Sequence, residues 1–243
     1  MKQMTLIFFV IISLNSYSQN DSRGWLNLNG EIKSLRQVKY NISDDNLIQI
    51  SSDKRRFGDV LFMSFGQQLL IDNTFIRFSK SGMIEYWTEL DDLNDTILTL
   101  KFFYDNALLP SKIEFIRGEN VGMTASYVID NSGNFVGVNM DNISSLIQRD
   151  KDMRVISETL TRDSDTTKLT YKYHDDGTVD IQMFDGDELM YSISNKFNQN
   201  GDFEFDGRFN FQYTFDNFGN WITKTGFLDE TPVIKYIREI EYY

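Results

Sequence analysis

Acidic side chains are the most numerous reactive groups in this chain, because it offers few others. The 243 residues include 36 Asp and Glu, a single His and no Cys. His174 lies in the sequence Tyr-His-Asp-Asp-Gly, which is typical of a turn, and no Gly-x-Ser-x-Gly motif accompanies it. A Ser-His-Asp triad would have one possible base and no recognisable nucleophile. We therefore expect His174 to be an ordinary turn residue.

Paired carboxylates could instead serve a glycosidase, which needs two of them on opposite sides of one sugar. Close groups along the chain are Asp91/Asp92/Asp95, Asp163/Asp165, Asp175/Asp176 and Asp185/Asp187/Glu188. In so acidic a chain, such proximity is expected by chance. A carboxylate-dependent hydrolase stays an alternative, and our expectation is that the chain is not an enzyme.

Turn carboxylates could also bind calcium, which prefers hard oxygen ligands. The weak candidates are Asp185, Asp187 and Glu188, with Asp163 and Asp165 as a second group. Neither matches the full EF-hand loop, so the favoured interpretation is a solvated hairpin tip. A single His and no Cys leave too few ligands for zinc. We expect no metal and no cofactor.

The N-terminus has the pattern of a signal peptide. Lys2 precedes an apolar run of 11 residues at 4–14, and the small residues Ser16 and Ser18 precede a cut after Ser18. A membrane-spanning helix needs roughly 20 apolar residues, and no later segment of this chain is long enough. We expect residues 1–18 to be removed and the chain to be secreted or periplasmic. Without Cys it has no disulfide, no thiol chemistry and no lipid-bearing cysteine.

The charge of the chain argues against nucleic acid as a partner. The net charge is −12, and loss of Lys2 leaves 23 basic and 36 acidic residues, a net charge of −13. Such a charge repels phosphate backbones and anionic membranes. The one basic cluster, at residues 54–56, is too short for a nucleic-acid surface.

A short pattern recurs five times, with an apolar residue four places before a glycine and another two places after it. The members are Phe78, Gly82 and Ile84; Ile129, Gly133 and Phe135; Tyr173, Gly177 and Val179; Phe197, Gly201 and Phe203; and Phe215, Gly219 and Trp221. The residues between are mostly Asp, Asn and Ser. A sixth, degenerate copy lies at 104–110, with Leu108 in place of the glycine.

Each copy predicts a hairpin. A strand ends at the first apolar residue, turn formers follow, and glycine takes the positive φ that closes the loop. The second apolar residue then returns to the buried face. The glycines are 51, 44, 24 and 18 residues apart, so the two long intervals should hold extra hairpins.

Strand-like alternation of apolar and polar residues connects these turns. It predicts an all-β fold: a large, twisted antiparallel meander of hairpins, curled or barrel-like, forming a single domain within residues 19–243. Near the C-terminus, Arg238 is the odd member of an apolar face formed by Ile234, Tyr236, Ile240 and Tyr242. Residues 141–150 could form a short helix, and 41–56 and 161–168 look like loops.

The turn unit resembles the tyrosine-aspartate repeat of RHS/YD-type proteins, in which an Asp follows the aromatic residue. Asp130, Asp216 and Asp105 keep that Asp, while residues 28–40 and the C-terminal unit resemble the start and end of a class of secreted bacterial proteins of unknown function. The resemblance implies an antiparallel β fold and export. The self-cleaving Asp-Pro signature and toxin domain of long RHS proteins are missing, so it implies no activity.

These observations favour an exported, non-enzymatic module that binds a protein or a glycan at the cell envelope. Trp25, Trp87 and Trp221 could offer rings to a sugar, although packing in the core is the favoured role of Trp221. The alternative is a barrel-type carrier of a small apolar ligand.

Overall fold

The computed structural model describes residues 28–43, 46–49, 73–105, 110–130, 135–140, 143–152 and 154–243. The proposed signal peptide, Trp25, the basic cluster at 54–56, Leu108 and Gly133 lie outside the described residues. None of the described residues forms a helix. In that part of the chain, no helix is long and apolar enough to cross a membrane.

Seventeen strands form one antiparallel sheet. They are β1 Ile32–Ser43, β2 Asn46–Gln49, β3 Thr74–Phe78, β4 Ile84–Leu90, β5 Thr96–Phe103, β6 Lys112–Arg117, β7 Asn120–Ile129, β8 Phe135–Met140, β9 Ile143–Arg149, β10 Val155–Arg162, β11 Asp165–Tyr173, β12 Thr178–Asp185, β13 Glu188–Phe197, β14 Phe203–Phe205, β15 Asn210–Phe215, β16 Trp221–Leu228 and β17 Thr231–Tyr242.

The sheet closes into a barrel of 16 strands. From β3 to β17 each strand pairs with the next along the chain, and β1 lies between β17 and β3 to complete the ring. The extra strand, β2, pairs with the last residues of β1. The predicted barrel-like meander of hairpins is therefore confirmed.

Glycine turns of the predicted kind gather at one end of the barrel, which we call the glycine rim. It carries the turns that follow the odd-numbered strands from β3 to β15. Gly82, Gly177, Gly201 and Gly219 lie there with φ between 79° and 83°, a conformation that costs glycine little. The two long intervals hold the extra hairpins β5–β6 and β9–β10, as the spacing predicts.

The residue three places before the glycine holds the turn together. Asp216 accepts hydrogen bonds from the backbone N–H groups of Phe218 and Asn220, both at 2.9 Å, and Asn198 does the same in its own turn. In the β9–β10 turn, which has no glycine, Asp150 makes the equivalent bonds. This is the Asx-turn chemistry that favours Asp and Asn at such positions.

Three predictions of local structure are wrong. Residues 143–149 form strand β9 and not a helix, because buried Ile143, Ser145 and Ile147 alternate with exposed neighbours at period two. The stretch 161–168 is a hairpin and not a loop, with a tight turn at Asp163, whose φ is 53°. The stretch 41–56 also contributes to β1 and β2, as far as it is described.

The burial predicted for the aromatic residues before each glycine fails at one position. Phe78 is fully buried, Tyr173 and Phe197 are half-buried, and Phe215 is 43% exposed. Phe215 is the last residue of β15, and its ring centre is 6.0 Å from that of Tyr213. Phe215 lies on the same side as Tyr213 but beside the turn, where the strand ends.

The two faces of the barrel wall differ sharply in polarity. The inner face of β3 to β12 is a continuous apolar core, which includes Phe78, Trp87 and Phe115, all at most 2% exposed. The outer face carries ion pairs on strands around the wall. They are Lys33–Glu241, Arg36–Glu239, Arg77–Glu85, Lys112–Glu114 and Lys196–Glu204.

Candidate binding site

The barrel wall is least complete at β14. This strand has three residues, which pair with β13 at only two positions and with β15 at one. Residues 188–195 of β13 therefore have ladder partners in β12 alone among the described residues. This gap in the pairing, which we call the seam, interrupts an otherwise continuous wall.

Inner side chains beside the seam are less buried than the core across the barrel. Tyr191, Phe211, Tyr213, Lys224 and Tyr236 are half-buried, whereas the inner residues of β4 and β5 are between 1% and 7% exposed. Aromatic and basic groups on the inner face near the seam are therefore partly accessible.

Lys224 lies among three aromatic rings on this inner face. Its Nζ is 4.0 Å from the ring centre of Phe211, 5.1 Å from that of Phe203 and 5.4 Å from that of Tyr236. Ring faces attract cations through their negative quadrupole, so these contacts partly replace the water that the ammonium group loses.

Arg238 is buried next to Lys224, with 4% of its surface exposed. Its guanidinium carbon is 3.3 Å from the ring centre of Trp221, and its Nε donates to Oε1 of Gln37 at 3.1 Å. The Nη1 nitrogen is buried and has no hydrogen-bond partner among the described residues. A buried guanidinium nitrogen without an acceptor is costly and calls for an explanation.

The electrostatics of these two groups reflect their burial. Burial lowers the pKa of Lys224 to about 8, and the positive charges of Arg238 and Lys39 also act to lower it, while Asp206 and Asp202 oppose the change. Burial lowers the pKa of Arg238 to about 9, again opposed by Asp202.

The cations and rings belong to neighbouring strands in register. Arg238 pairs with Gln37, and Tyr236 pairs with both Lys39 and Lys224. We call the whole set the basic–aromatic patch: Gln37, Lys39, Phe203, Phe211, Tyr213, Trp221, Lys224, Tyr236 and Arg238. Chemically, it offers cationic hydrogen-bond donors beside aromatic surface, which suits a ligand with a negative end and an apolar body.

His174 lies outside this patch, at the start of the turn between β11 and β12. Its Nε2 is 2.7 Å from Oδ2 of Asp180, and the hydroxyl of Ser194 donates to the other oxygen of the same carboxylate at 2.6 Å. These hydrogen bonds lower the pKa of Asp180. The carboxylate, and not the imidazole, occupies the middle of this trio, so the trio lacks the order of a catalytic triad.

The carboxylates considered for calcium lie on separate turns. Asp185, Asp187 and Glu188 are at the β12–β13 turn, and Asp163 and Asp165 are at the β10–β11 turn. Within the described ranges, no group of three or more His, Asp or Glu side chains is arranged to hold a metal ion.

The two described tryptophans, Trp87 and Trp221, do not form an external platform for a sugar. Trp87 and Trp221 are 2% and 7% exposed, and both lie on the inner face. Trp221 retains the packing role expected from the sequence, yet one side of its ring faces Arg238.

The sequence indicates part of the patch and conceals the rest. Arg238 is visible as the charged member of an apolar face. Lys224 cannot be found by alternation, because residues three apart in a regular strand lie on opposite faces. In β16 the extra residue Ile222 forms a bulge opposite Phe215 and brings both Trp221 and Lys224 to the inner face. Lys39 and Gln37 are detectable only by continuing the alternation from buried Leu35.

Comparisons with known proteins extend the description of the fold only. No protein family and no curated protein matches the chain. The chain is similar to the crystal structure of a porin-like protein from Bacteroides uniformis ATCC 8492, with 9% identity, a TM-score of 0.56, and coverage of 88% of this chain and 99% of that one. At this identity the likeness shows a shared fold.

Two crystal structures of the TcdB2-TccC3 proteins also match, one of them named TcdB2-TccC3-TEV. Both are 12% identical, with TM-scores of 0.31 and 0.30, and cover 64% and 63% of this chain. This chain spans 11% of each of those chains. Scores this low support no conclusion about the RHS/YD resemblance.

Proposed function

We propose that this chain is an exported, non-enzymatic binding protein that holds a small, largely apolar ligand inside its barrel at the basic–aromatic patch. The observation that supports this most is the contrast within one inner face. Opposite the tightly packed core, Phe211, Tyr213 and Tyr236 beside the seam stay half-buried, while Phe203 and Trp221 are 5% and 7% exposed. Concave, aromatic-lined surface with a few polar groups is typical of small-molecule sites.

The outer face argues for a barrel surrounded by water. A membrane-spanning barrel presents an apolar band to lipid, whereas this wall has exposed Lys168 and Gln182 at outward positions in the middle of β11 and β12. Burying such groups in hydrocarbon would be very unfavourable. The similarity to a porin-like protein therefore supports a shared barrel fold. It does not indicate that this chain forms a pore.

The interior also differs from that of a channel. Round barrels of 16 to 18 strands leave an aqueous lumen, but here inner residues such as Ile76 and Phe78 are fully buried. The inner face of β3 to β12 is therefore packed and not open to water, and the half-buried inner residues lie near the seam. We infer that the ligand enters there, where β13 lacks ladder partners beyond β12.

The envelope location in this proposal depends on the signal peptide expected at residues 1–18. The non-enzymatic role is a sequence-based expectation, and the order of groups around Asp180 argues only against a Ser-His-Asp triad at His174. A protein or glycan partner on the outer surface remains part of the sequence-based hypothesis, and the inward position of Trp87 and Trp221 favours the interior site over a sugar platform.

An uncharged probe tests the proposal directly. We expect Nile red to bind the mature chain and to gain fluorescence, and the change Phe211→Ala to weaken this binding by about fivefold to tenfold because a large apolar contact is lost. Phe103→Ala is the matched control, since Phe103 also lies near lysines but on the outer face. Native mass spectrometry of protein purified gently from its producing cells should show a bound small molecule.

Two results would oppose an interior site. One is the absence of both a bound molecule and Nile red binding. The other is an equal loss of Nile red binding in the two variants, which would place the probe on general apolar surface.

A further inference from the structure

We propose that the basic–aromatic patch recognises the oxyanion head group of an amphipathic ligand, a carboxylate or a phosphate, with Arg238 and Lys224 as its binding residues. This inference rests on the proposed interior site and adds the chemical class of the ligand.

The guanidinium of Arg238 is the first reason to expect an oxyanion, because not all of its N–H donors have acceptors among the described residues. Nε is bonded to Gln37, and one face of the guanidinium is covered by Trp221 at 3.3 Å. These two contacts hold the planar group in one orientation. The buried Nη1, which has no acceptor among the described residues, is a donor fixed in place for an oxyanion.

Lys224 supplies a second cation on the same inner face, at the level of Tyr236, two residues along β17 from Arg238. It has contacts with ring faces, and no ion pair of Lys224 is seen among the described residues. An anion that reached it would gain a partner without displacing an acidic side chain. The Phe203 and Phe211 rings lie 6.3 Å apart, with 29° between their planes, and extend from the cations as apolar surface for the body of the ligand.

The balance of charge around the patch favours an anion. Lys39, Lys224 and Arg238 face it from β1, β16 and β17, while Asp202 and Asp206 flank β14. Glu89 lies in the same layer as Arg238, three strands away through Gln37 and Thr74, and is not among the charges that shift the pKa of Arg238. In a chain with net charge −12, three inward cations against two nearby acids form a local positive site.

The affinity for an anion should depend on pH in a definite direction. Both cations bind while protonated, so affinity should be highest below about pH 8 and fall as the pH rises through the pKa of Lys224, about 8, and of Arg238, about 9. A bound anion would itself raise both pKa values. Lys39, Asp202, Asp206 and Tyr213 also act on these groups, and the ring centre of Tyr236 lies 5.4 Å from Nζ of Lys224.

Calorimetric titration with eight-carbon probes tests the inference. Octanoate and octyl phosphate carry the two head groups in question, octanol has none, and inorganic phosphate has no apolar body. We expect octanoate or octyl phosphate to bind at least tenfold more tightly than octanol. Arg238→Gln and Lys224→Gln should each reduce that affinity by about tenfold or more.

Lys101→Gln is the matched control, because Nζ of Lys101 lies 5.0 Å from the ring centre of Phe103 on the outer face. It should leave octanoate affinity unchanged. Lys224 is half-buried, so its variant keeps the test informative even where Arg238→Gln destabilises the fold.

The outcomes separate this inference from the proposed function. Equal binding of octanol and both anions, unchanged in the Arg238 and Lys224 variants, would overturn the head-group inference and leave the interior site intact. Loss of Nile red binding in the Phe211 variant would still support that site. Whichever of octanoate and octyl phosphate binds more tightly would identify the head group as a carboxylate or a phosphate. Binding of inorganic phosphate without binding of either eight-carbon anion would overturn the inference that the ligand is amphipathic.

Discussion

Glu158 points into the apolar part of the barrel interior, where its register partners are Ile147 and Leu169. It is 3% exposed, and its Oε2 oxygen has no hydrogen-bond partner among the described residues. Burial raises the pKa of this carboxyl from 4.5 to about 8. The folded protein therefore holds Glu158 as a neutral acid at pH 7.

Replacing Glu158 by glutamine should remove a pH-dependent loss of stability. Between about pH 4.5 and pH 8 the unfolded chain releases this proton while the folded chain keeps it, so stability falls as the pH rises across that window. Glu158→Gln should match the wild type near pH 4.5 and exceed it by a few kcal/mol near pH 8, as measured by urea denaturation. Glu188→Gln, at an exposed hairpin tip, is the control, and parallel pH curves for all three proteins would contradict the assignment.

At the scale of elements, hairpins of the glycine rim are fastened by tyrosines as well as by capping carboxylates. Tyr104 donates to the carbonyl of Ile84, Tyr173 to that of Val155, and Tyr213 to that of Phe203. In each case the hydroxyl reaches the first residue of the preceding strand. Tyr104 and Tyr173 occupy the aromatic position of the repeat, and Tyr213 lies two residues before it. Phenylalanine cannot make this contact.

The turn caps make a separate prediction. Asn198→Ala removes the acceptor for the N–H groups of Asn200 and Asp202, and it should lower the free energy of unfolding by about 1 to 2 kcal/mol. Gln199→Ala, at an exposed position of the same turn, should change it by less than about 0.5 kcal/mol. Comparable losses in the two variants would show that the cap does not stabilise the hairpin.

Hairpins could be predicted from sequence more reliably than the binding patch, for a physical reason. A turn is encoded locally, since Gly201 and Asn198 act within five residues. The patch needs long-range pairing, because Gln37 meets Arg238 only when the barrel closes. Bulges add a second obstacle. The extra residue Ile222 in β16 brings both Trp221 and Lys224 to the inner face, and alternation alone cannot predict where such a residue is inserted.

At the scale of the whole molecule, closure joins the two ends of the described chain. β1 pairs with β17 over nine residue pairs, from Ile32↔Tyr242 to Asn41↔Ile234. Asn220 also connects the two ends at the glycine rim. Its side-chain amide exchanges hydrogen bonds with the backbone of Asn29 and donates to the hydroxyl of Tyr242. The same closure brings Lys39 and Gln37 next to Tyr236 and Arg238, so the patch exists only in the complete barrel.

Para-iodobenzoate bound in a crystal of the mature chain would locate the ligand, since iodine is found by its anomalous scattering. We expect an iodine site inside the barrel between Phe203 and Phe211, with the carboxylate accepting a hydrogen bond from Nη1 of Arg238 and within reach of Lys224. Iodine sites on the outer wall alone, or an interior ligand with its carboxylate turned away from both cations, would contradict it.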